Sequence, residues 1–298
     1  MRGQVRILSD VDIRALLRKY GVKYDKRRGQ SFLKSNYVAR EIVRLAEIDS
    51  DDRVLEIGGG LGILTEWLAE KAKSVCVVEI EQGLVEALQD RFIESKNVTV
   101  IEGDALVVEL PAVDKVVSNL PYSISSEITF RILREVDFQS ALLMYQKEFA
   151  ERLVAKPGSQ AYSRLSVNFQ YRAQAEEVMD VDSSMFYPEP SVDSKVVRIT
   201  HRKSGPFAMD DFVFEWMIRG IYSYPNKQLR RAMRIWFKNL GVSRNLADDV
   251  IKDCGIDGLE TMRLRRLDLE TLVILADVLK DFVEDERLPG PEGSQSEG

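Results

Sequence analysis

The chain has one histidine and two cysteines among its 298 residues, and that scarcity removes several chemistries at once. A single His201 leaves a multi-histidine metal centre without ligands and argues against a histidine-based triad. No metal is expected, and His201 reads as a solvated residue just past a strand. Cys76, in an apolar strand-like run, and Cys254, far downstream, are too few for a disulfide framework or a structural zinc site. Long hydrophobic runs are missing too: none reaches the roughly 18 apolar residues that a membrane span requires. The opening MRGQVRILSDVD lacks the apolar centre of a signal peptide. A cytoplasmic protein without membrane contact is expected.

Excess positive charge is absent as well. The formal net charge is −6, which on its face speaks against a nucleic-acid partner, but its distribution matters more than its total. From Asp281 onward there are six acids and one arginine, so most of the negative excess sits at the C-terminal end, whose Gly-, Pro-, Ser- and Glu-rich last part, 288–298, is read as a disordered acidic tail. Basic residues gather in three places: Lys23, Lys26, Arg27 and Arg28; Lys227, Arg230, Arg231, Arg234 and Lys238, with no acid between them; and Arg263, Arg265 and Arg266. A charge run is usually a solvated face; three of them keep an anionic partner open.

What is present is a regular alternation. Strand-like runs at Arg53–Ile57, Ser74–Ile80, Val98–Ile101, Lys115–Ser118 and Ala141–Tyr145 are separated by helical patterns near 38–47, 61–72, 83–94 and 125–135. Such spacing predicts a doubly wound, mostly parallel α/β sheet. A helix over 162–172, a strand at Glu177–Val181, the loop Met185–Ser194 and a strand at Lys195–Thr200 follow, and the last pair suits an antiparallel addition to the sheet. Beyond Pro206 only helical patterns remain, at 209–222, 226–239, 243–253 and 268–285. The length suits one larger and one smaller domain, here 1–205 and an all-helical 206–287.

The first strand runs into Glu56-Ile57-Gly58-Gly59-Gly60-Leu61-Gly62 and then a helix. Glycines let backbone N–H groups approach a ligand, and a helix N-terminus favours negative charge; alone, this is a nucleotide-type loop or a plain tight turn. It fails the dinucleotide fingerprint G-x-G-x-x-G, because no closing glycine follows Gly62. The second strand ends at Glu79, where a carboxylate can accept from both ribose hydroxyls of an adenosyl group. The third ends in Glu102-Gly103-Asp104, and the fourth in Asn119-Leu120-Pro121-Tyr122. Asn-x-Pro is a common turn, and Tyr122 has packing as its plain reading. The chemistry also fits a task. An adenine amine is a poor nucleophile because its lone pair is delocalised. The Asn119 side-chain oxygen and the Leu120 carbonyl, aimed at its hydrogens, would free that pair, with Pro121 stiffening the backbone and Tyr122 stacking on the base.

The pattern E-x-G-x-G-x-G resembles the first motif of class I S-adenosylmethionine-dependent methyltransferases, and Asn-Leu-Pro-Tyr resembles the signature of those acting on amino groups. With Gly29-Gln30-Ser31-Phe32-Leu33, Tyr145-Gln146-Lys147-Glu148, Arg152-Leu153, Ala161–Val167 and Phe186-Tyr187-Pro188-Glu189-Pro190-Ser191-Val192-Asp193-Ser194, the span 29–200 is similar to the small-subunit ribosomal RNA adenine dimethyltransferases. The resemblance implies a Rossmann-like catalytic domain that takes S-adenosylmethionine and dimethylates N6 of two adjacent adenosines near the 3′ end of that RNA. It implies a role in small-subunit assembly, with the pre-small ribosomal subunit as partner of a monomer. Gln30, Ser31, Leu33, Gly58, Gly60, Glu79, Asp104 and Asn119 would hold the cofactor, Asp104 receiving the adenine amine. Phe186 would face Tyr122 across a flipped base; its other reading is a core aromatic held by a proline-rich loop. An assembly or transcription factor that has lost catalysis, and an enzyme acting on large-subunit RNA or DNA, remain alternatives. Three departures stand out: Ser31 replaces a usual Asn, Gly59 replaces a common Pro and is expected only to loosen the loop, and Pro225-Asn226-Lys227 replaces Arg-Arg-Lys. RNA phosphates would then fall to Lys227, Arg230, Arg231 and Arg234.

Overall fold

The computed structural model describes residues 9–22 and 31–291. Gln30, the basic group 23–28 and most of the expected acidic tail lie outside the described residues. In chain order the elements are α1 (Asp10–Lys19), β1 (Phe32–Leu33), α2 (Asn36–Leu45), β2 (Arg53–Ile57), α3 (Ile63–Ala69), β3 (Ser74–Glu79), α4 (Gln82–Arg91), β4 (Val98–Glu102), β5 (Lys115–Asn119), α5 (Ser125–Glu135), β6 (Ser140–Gln146), α6 (Lys147–Leu153), α7 (Arg164–Arg172), β7 (Ala173–Val181), β8 (Phe186–Tyr187), β9 (Ser194–His201), α8 (Asp211–Ile221), α9 (Leu229–Asn239), α10 (Leu246–Asp253) and α11 (Leu269–Glu284).

These residues divide into two compact units. One comprises residues up to Ala150 together with Ala173–His201; the other comprises Glu151–Arg172 together with Arg202 onward. The units are not contiguous in sequence: the division falls inside α6, and α7 groups with the C-terminal helices, whereas the sequence pattern placed it within 1–205.

The first unit is built on a seven-stranded sheet in the order β4-β3-β2-β5-β6-β9-β7. β2, β3, β4, β5 and β6 run parallel, while β9 is antiparallel to β6 and β7 antiparallel to β9, as the alternating pattern predicted. The inner strands are apolar on both faces because helices cover both: Val54, Leu55, Val116, Val117, Leu142 and Leu143 are all buried. β1 and β8 form a separate antiparallel pair, Phe32 opposite Tyr187 and Leu33 opposite Phe186. Neither α1 nor this pair was expected. A capping box explains the start of α1: the Ser9 side chain accepts from Asp12 N–H, and the Asp12 side chain accepts from Ser9 N–H. Ile13 and Leu17 of α1 pack with Val22, Phe32, Leu61 and Leu84. His201 belongs to β9 rather than following it, and it is partly buried. Its ring lies 4.3 Å from that of Phe138 and its Nε2 is 3.1 Å from the Val136 carbonyl.

The second unit is helical with its own core. Tyr171 of α7 stacks on Phe214 of α8 at 4.0 Å, and the Tyr162 hydroxyl donates to the Leu267 carbonyl. Met217, Ile218, Met233, Phe237, Leu272 and Leu275 complete the interior. α8 and α11 start at aspartate caps, Asp210 and Asp268, whose carboxylates take the first free N–H groups.

Candidate active site

The chain runs outward from β2 through β3 and β4, then returns to place β5 on β2's other side. Where strand order reverses, the loops leaving neighbouring strands part and open a crevice at their carboxyl ends. A cavity of about 310 Å³ lies there, lined by residues following β2, β3, β4 and β5 together with Ser31, Phe32 and Leu33.

After β2, Gly58, Gly60 and Gly62 have φ of +75°, +56° and +77°, the left-handed region that favours glycine. Gly58 has a second reason: a Cβ there would lie 3.3 Å from the Pro121 ring, so the loop after β5 packs directly on bare backbone. Gly59 is different. A Cβ at this position would come 2.4 Å from Val77 Cγ1 and 3.1 Å from a Leu88 methyl. Glycine here therefore does more than loosen the loop, which corrects the sequence expectation: it admits Val77 and Leu88 beneath the turn.

Three carboxylates surround this loop. Glu56 is fully buried and accepts from the Thr65 hydroxyl at 2.6 Å. Burial pushes its carboxyl up to about 8, the nearby Glu79 adds to the rise, and the Thr65 bond partly offsets it. Glu79 is also buried, and burial raises it despite three backbone donors: Gly60 N–H to Oε2 at 3.0 Å, and Ile80 and Glu81 N–H to Oε1 at 3.0 and 3.1 Å. A carboxylate has about four acceptor sites, so the one left lies on Oε2. That suits a single hydroxyl better than the expected pair. Asp104 takes Leu106 N–H on Oδ1 at 2.8 Å and lines the cavity.

The loop after β5 carries the reacting geometry. Asn119 Nδ2 donates to the Ser31 carbonyl at 3.3 Å. This commits the amide's donor half and leaves Oδ1 with no partner among the described residues, as an acceptor beside the cavity. Ser31's own hydroxyl points elsewhere, donating to the Pro188 carbonyl at 3.0 Å, so backbone takes over at a position where resemblance suggested a side chain. Leu120 is buried and lies among the residues that line the cavity. The Tyr122 hydroxyl sits 2.7 Å from Ser194 Oγ, and burial holds the phenol above its usual value.

Several expected residues are placed otherwise. Phe186 is fully buried in the core with Leu33, Val181 and Val196, and contributes nothing to the cavity lining. Its surroundings are those of the core reading rather than of the clamp. In the second unit, Arg230 and Arg234 both pair with Asp248 of α10, the former at 2.6 Å, an acid that lies beyond the basic run in sequence. Lys227 and the exposed Arg231 make no ion pair among the described residues. Sequence reasoning missed Ser194, whose only signal was its place at the end of the proline-rich motif. It also missed Phe32, Ile80 and Leu84, an apolar wall whose residues read as ordinary core.

Comparison with known proteins identifies the relatives of this chain. The family model described as ribosomal RNA adenine dimethylase matches residues 21–263. A probable ribosomal RNA small subunit methyltransferase A from Methanosarcina mazei is 45% identical over 221 residues, 74% of this chain and 81% of its own. One from Methanothermobacter thermautotrophicus is 40% identical over 271 residues, 91% and 96% of the two chains. Among solved structures, a dimethyladenosine transferase from Plasmodium falciparum superposes with a TM-score of 0.74 at 29% identity, covering 86% of this chain and 98% of that one. The 23S rRNA methyltransferase ErmE gives 0.62 at 25% identity, covering 84% and 99%.

Proposed function

The chain belongs to the ribosomal RNA adenine dimethylase family, and on that premise we propose that it dimethylates N6 of two adjacent adenosines near the 3′ end of small-subunit ribosomal RNA, using S-adenosylmethionine, during assembly of that subunit. The observation that carries the reading is Asn119. Its Nδ2 is tied to the Ser31 carbonyl and its Oδ1 is left as an acceptor at the β5 end, next to a crevice whose far side carries Glu79 and Asp104.

The crevice fits the cofactor. Left-handed glycines at 58 and 60 leave backbone exposed where a Cβ would approach Pro121 or Phe32, Glu79 keeps one acceptor site for a hydroxyl, and Asp104 keeps Oδ2 for an amine. Gly58, Gly60, Ser31, Leu33, Glu79, Asp104 and Asn119 are the residues that would hold it. Bound there, S-adenosylmethionine supplies an electrophilic methyl group. The chain's own contribution is alignment: Asn119 Oδ1 and the Leu120 carbonyl accept the adenine amine's hydrogens and draw its lone pair out of conjugation. Tyr122 offers a neutral ring for stacking, held by Ser194, and its raised phenol does not act as a base near neutral pH. None is required, since the amine sheds its proton after it has gained the methyl group. In the second unit Lys227 and Arg231, which make no ion pair among the described residues, are available for RNA phosphates, whereas Arg230 and Arg234 are already shared with Asp248.

Purified protein incubated with labelled cofactor and unmethylated small ribosomal subunits should yield dimethyladenosine on nucleoside digestion. Its absence, with the protein folded and cofactor bound, overturns the reading. A parallel incubation with large subunits tests the ErmE-like alternative, which the shared fold alone leaves open.

A further inference from the structure

We infer that Arg131 is a positioning residue for adenine recognition, resting on the reading that the cavity takes S-adenosylmethionine with its adenine at Asp104. Residues 103–114, between β4 and β5, contain no helix or strand. Asp104 heads a turn there: its backbone carbonyl accepts from Val107 and Val108 N–H, and its Oδ1 accepts from Leu106 N–H. Gly103 N–H, donating to the Glu79 carbonyl at 2.9 Å, ties only the start of the turn to β3. Arg131 holds the rest. From α5 its guanidinium reaches back, donating from Nη1 to the Ala105 carbonyl at 2.6 Å and from Nη2 to the Val108 carbonyl at 2.8 Å. Its Nε is held by Glu135 at 2.8 Å one helical turn on, and the side chain is only 12% exposed.

The residue type matters. A planar guanidinium spans two carbonyls three residues apart and stays charged; a lysine ammonium is a point charge that lacks the fork. The location matters as well. α5 begins directly after the Asn119–Ile124 loop, so one helix carries the target-base loop at its start and grips the Asp104 turn from its seventh residue. A comparable arginine serves the glycine loop: Arg91 of α4 donates to the Leu61 carbonyl at 2.7 Å and pairs with Glu66 at 2.5 Å. Arg91 therefore supplies an internal comparison, a loop clamp away from Asp104.

The test uses the full chain and calorimetric binding of two ligands, S-adenosylhomocysteine and S-inosylhomocysteine, the second carrying a carbonyl where adenine has its amine. Wild type should favour the adenosyl ligand by about fivefold or more, the equivalent of one hydrogen bond, and Asp104→Ala should erase that preference. Arg131→Met and Arg131→Lys should reduce the preference at least threefold, with kcat changed less than KM for the methyl donor. Arg91→Met should weaken both ligands together and leave their ratio intact. If Arg131→Met fails to fold, Arg131→Lys carries the same comparison. Arg131 variants that keep the full preference while Asp104→Ala loses it overturn the inference and leave the cofactor reading standing. A wild type with no preference overturns the adenine placement, and the inference with it.

Discussion

The Tyr122 hydroxyl and Ser194 Oγ lie 2.7 Å apart, joining the Asn-Leu-Pro-Tyr loop to the first residue of β9. Ser194 is fully buried, so its position is set by the ladders that β9 makes with β6 and β7. Ser194→Ala should release the ring at a cost of about 1 kcal/mol and lower turnover several-fold while cofactor affinity holds. Tyr122→Phe removes the same bond, so the double variant should be hardly worse than either single one. Additive losses in steady-state kinetics would show that the two residues act separately.

Asn119 divides its amide between structure and chemistry. Asn119→Ala should lower turnover by about 10²–10³, the range seen when one preorganised transition-state hydrogen-bonding group is lost, with cofactor affinity changed about threefold or less. Asn119→Asp should be worse placed than Ala, because a carboxylate would face the Ser31 carbonyl. Equal losses of turnover and affinity for Asn119→Ala would count against the acceptor role.

Gly59 and Val77 form a steric pair. Gly59→Ala should destabilise by roughly 1–3 kcal/mol through overpacking, since the new methyl falls 2.4 Å from Val77 Cγ1. In the Val77→Ala background the same change should cost far less. Chemical denaturation of the four proteins gives the cycle, and a coupling energy near zero would remove the steric explanation for this glycine.

Glu56 imposes a pH slope. Its carboxyl is ordinarily near 4.5 and is raised to about 8 by burial. Between those values the unfolded chain has released a proton that the folded chain keeps, so this residue's contribution to stability falls as pH rises from about 5 to 8. Glu56→Gln, which keeps a partner for Thr65, should flatten that slope by a few kcal/mol across the window. Denaturation curves at pH 5 and pH 8 with the same difference in both proteins would refute it.

Phe186 is a core residue. Phe186→Ala should cost about 3–5 kcal/mol, whereas Phe186→Leu should keep most stability and most turnover. A stable Phe186→Leu protein with turnover reduced a hundredfold would instead indicate that the ring meets the substrate.

The parts of this molecule legible in its sequence share a cause: each is repeated or local. Strand–helix alternation predicted the parallel sheet, and Glu79, Asp104 and Asn119 were found because a strand end marks each one. What escaped depends on distant partners. β1 and β8 are two residues long and carry no periodicity. The path of Glu151–Arg172 into the second unit is decided by Tyr162, Val167 and Tyr171 burying against α8 and α11, and nothing in the local pattern states which core an apolar stripe will join. Arg230 and Arg234 read as free cations because Asp248 lies on the next helix. Phe186 had two readings, and only its surroundings decide between them.

The pairing of Phe32–Leu33 with Phe186–Tyr187, seconded by the Ser31 hydroxyl on a carbonyl 157 residues away, sets an order of events for a chain growing from its N-terminus. By residue 122 the glycine loop, both strand-end acids and the Asn-Leu-Pro-Tyr loop have been made. The segment that forms the front of the cavity then has no strand partner, and Tyr122 has no anchor until Ser194 emerges. A nascent chain therefore holds its recognition residues long before it holds a finished pocket, and ligand capture marks completion of the first unit rather than the appearance of its motifs.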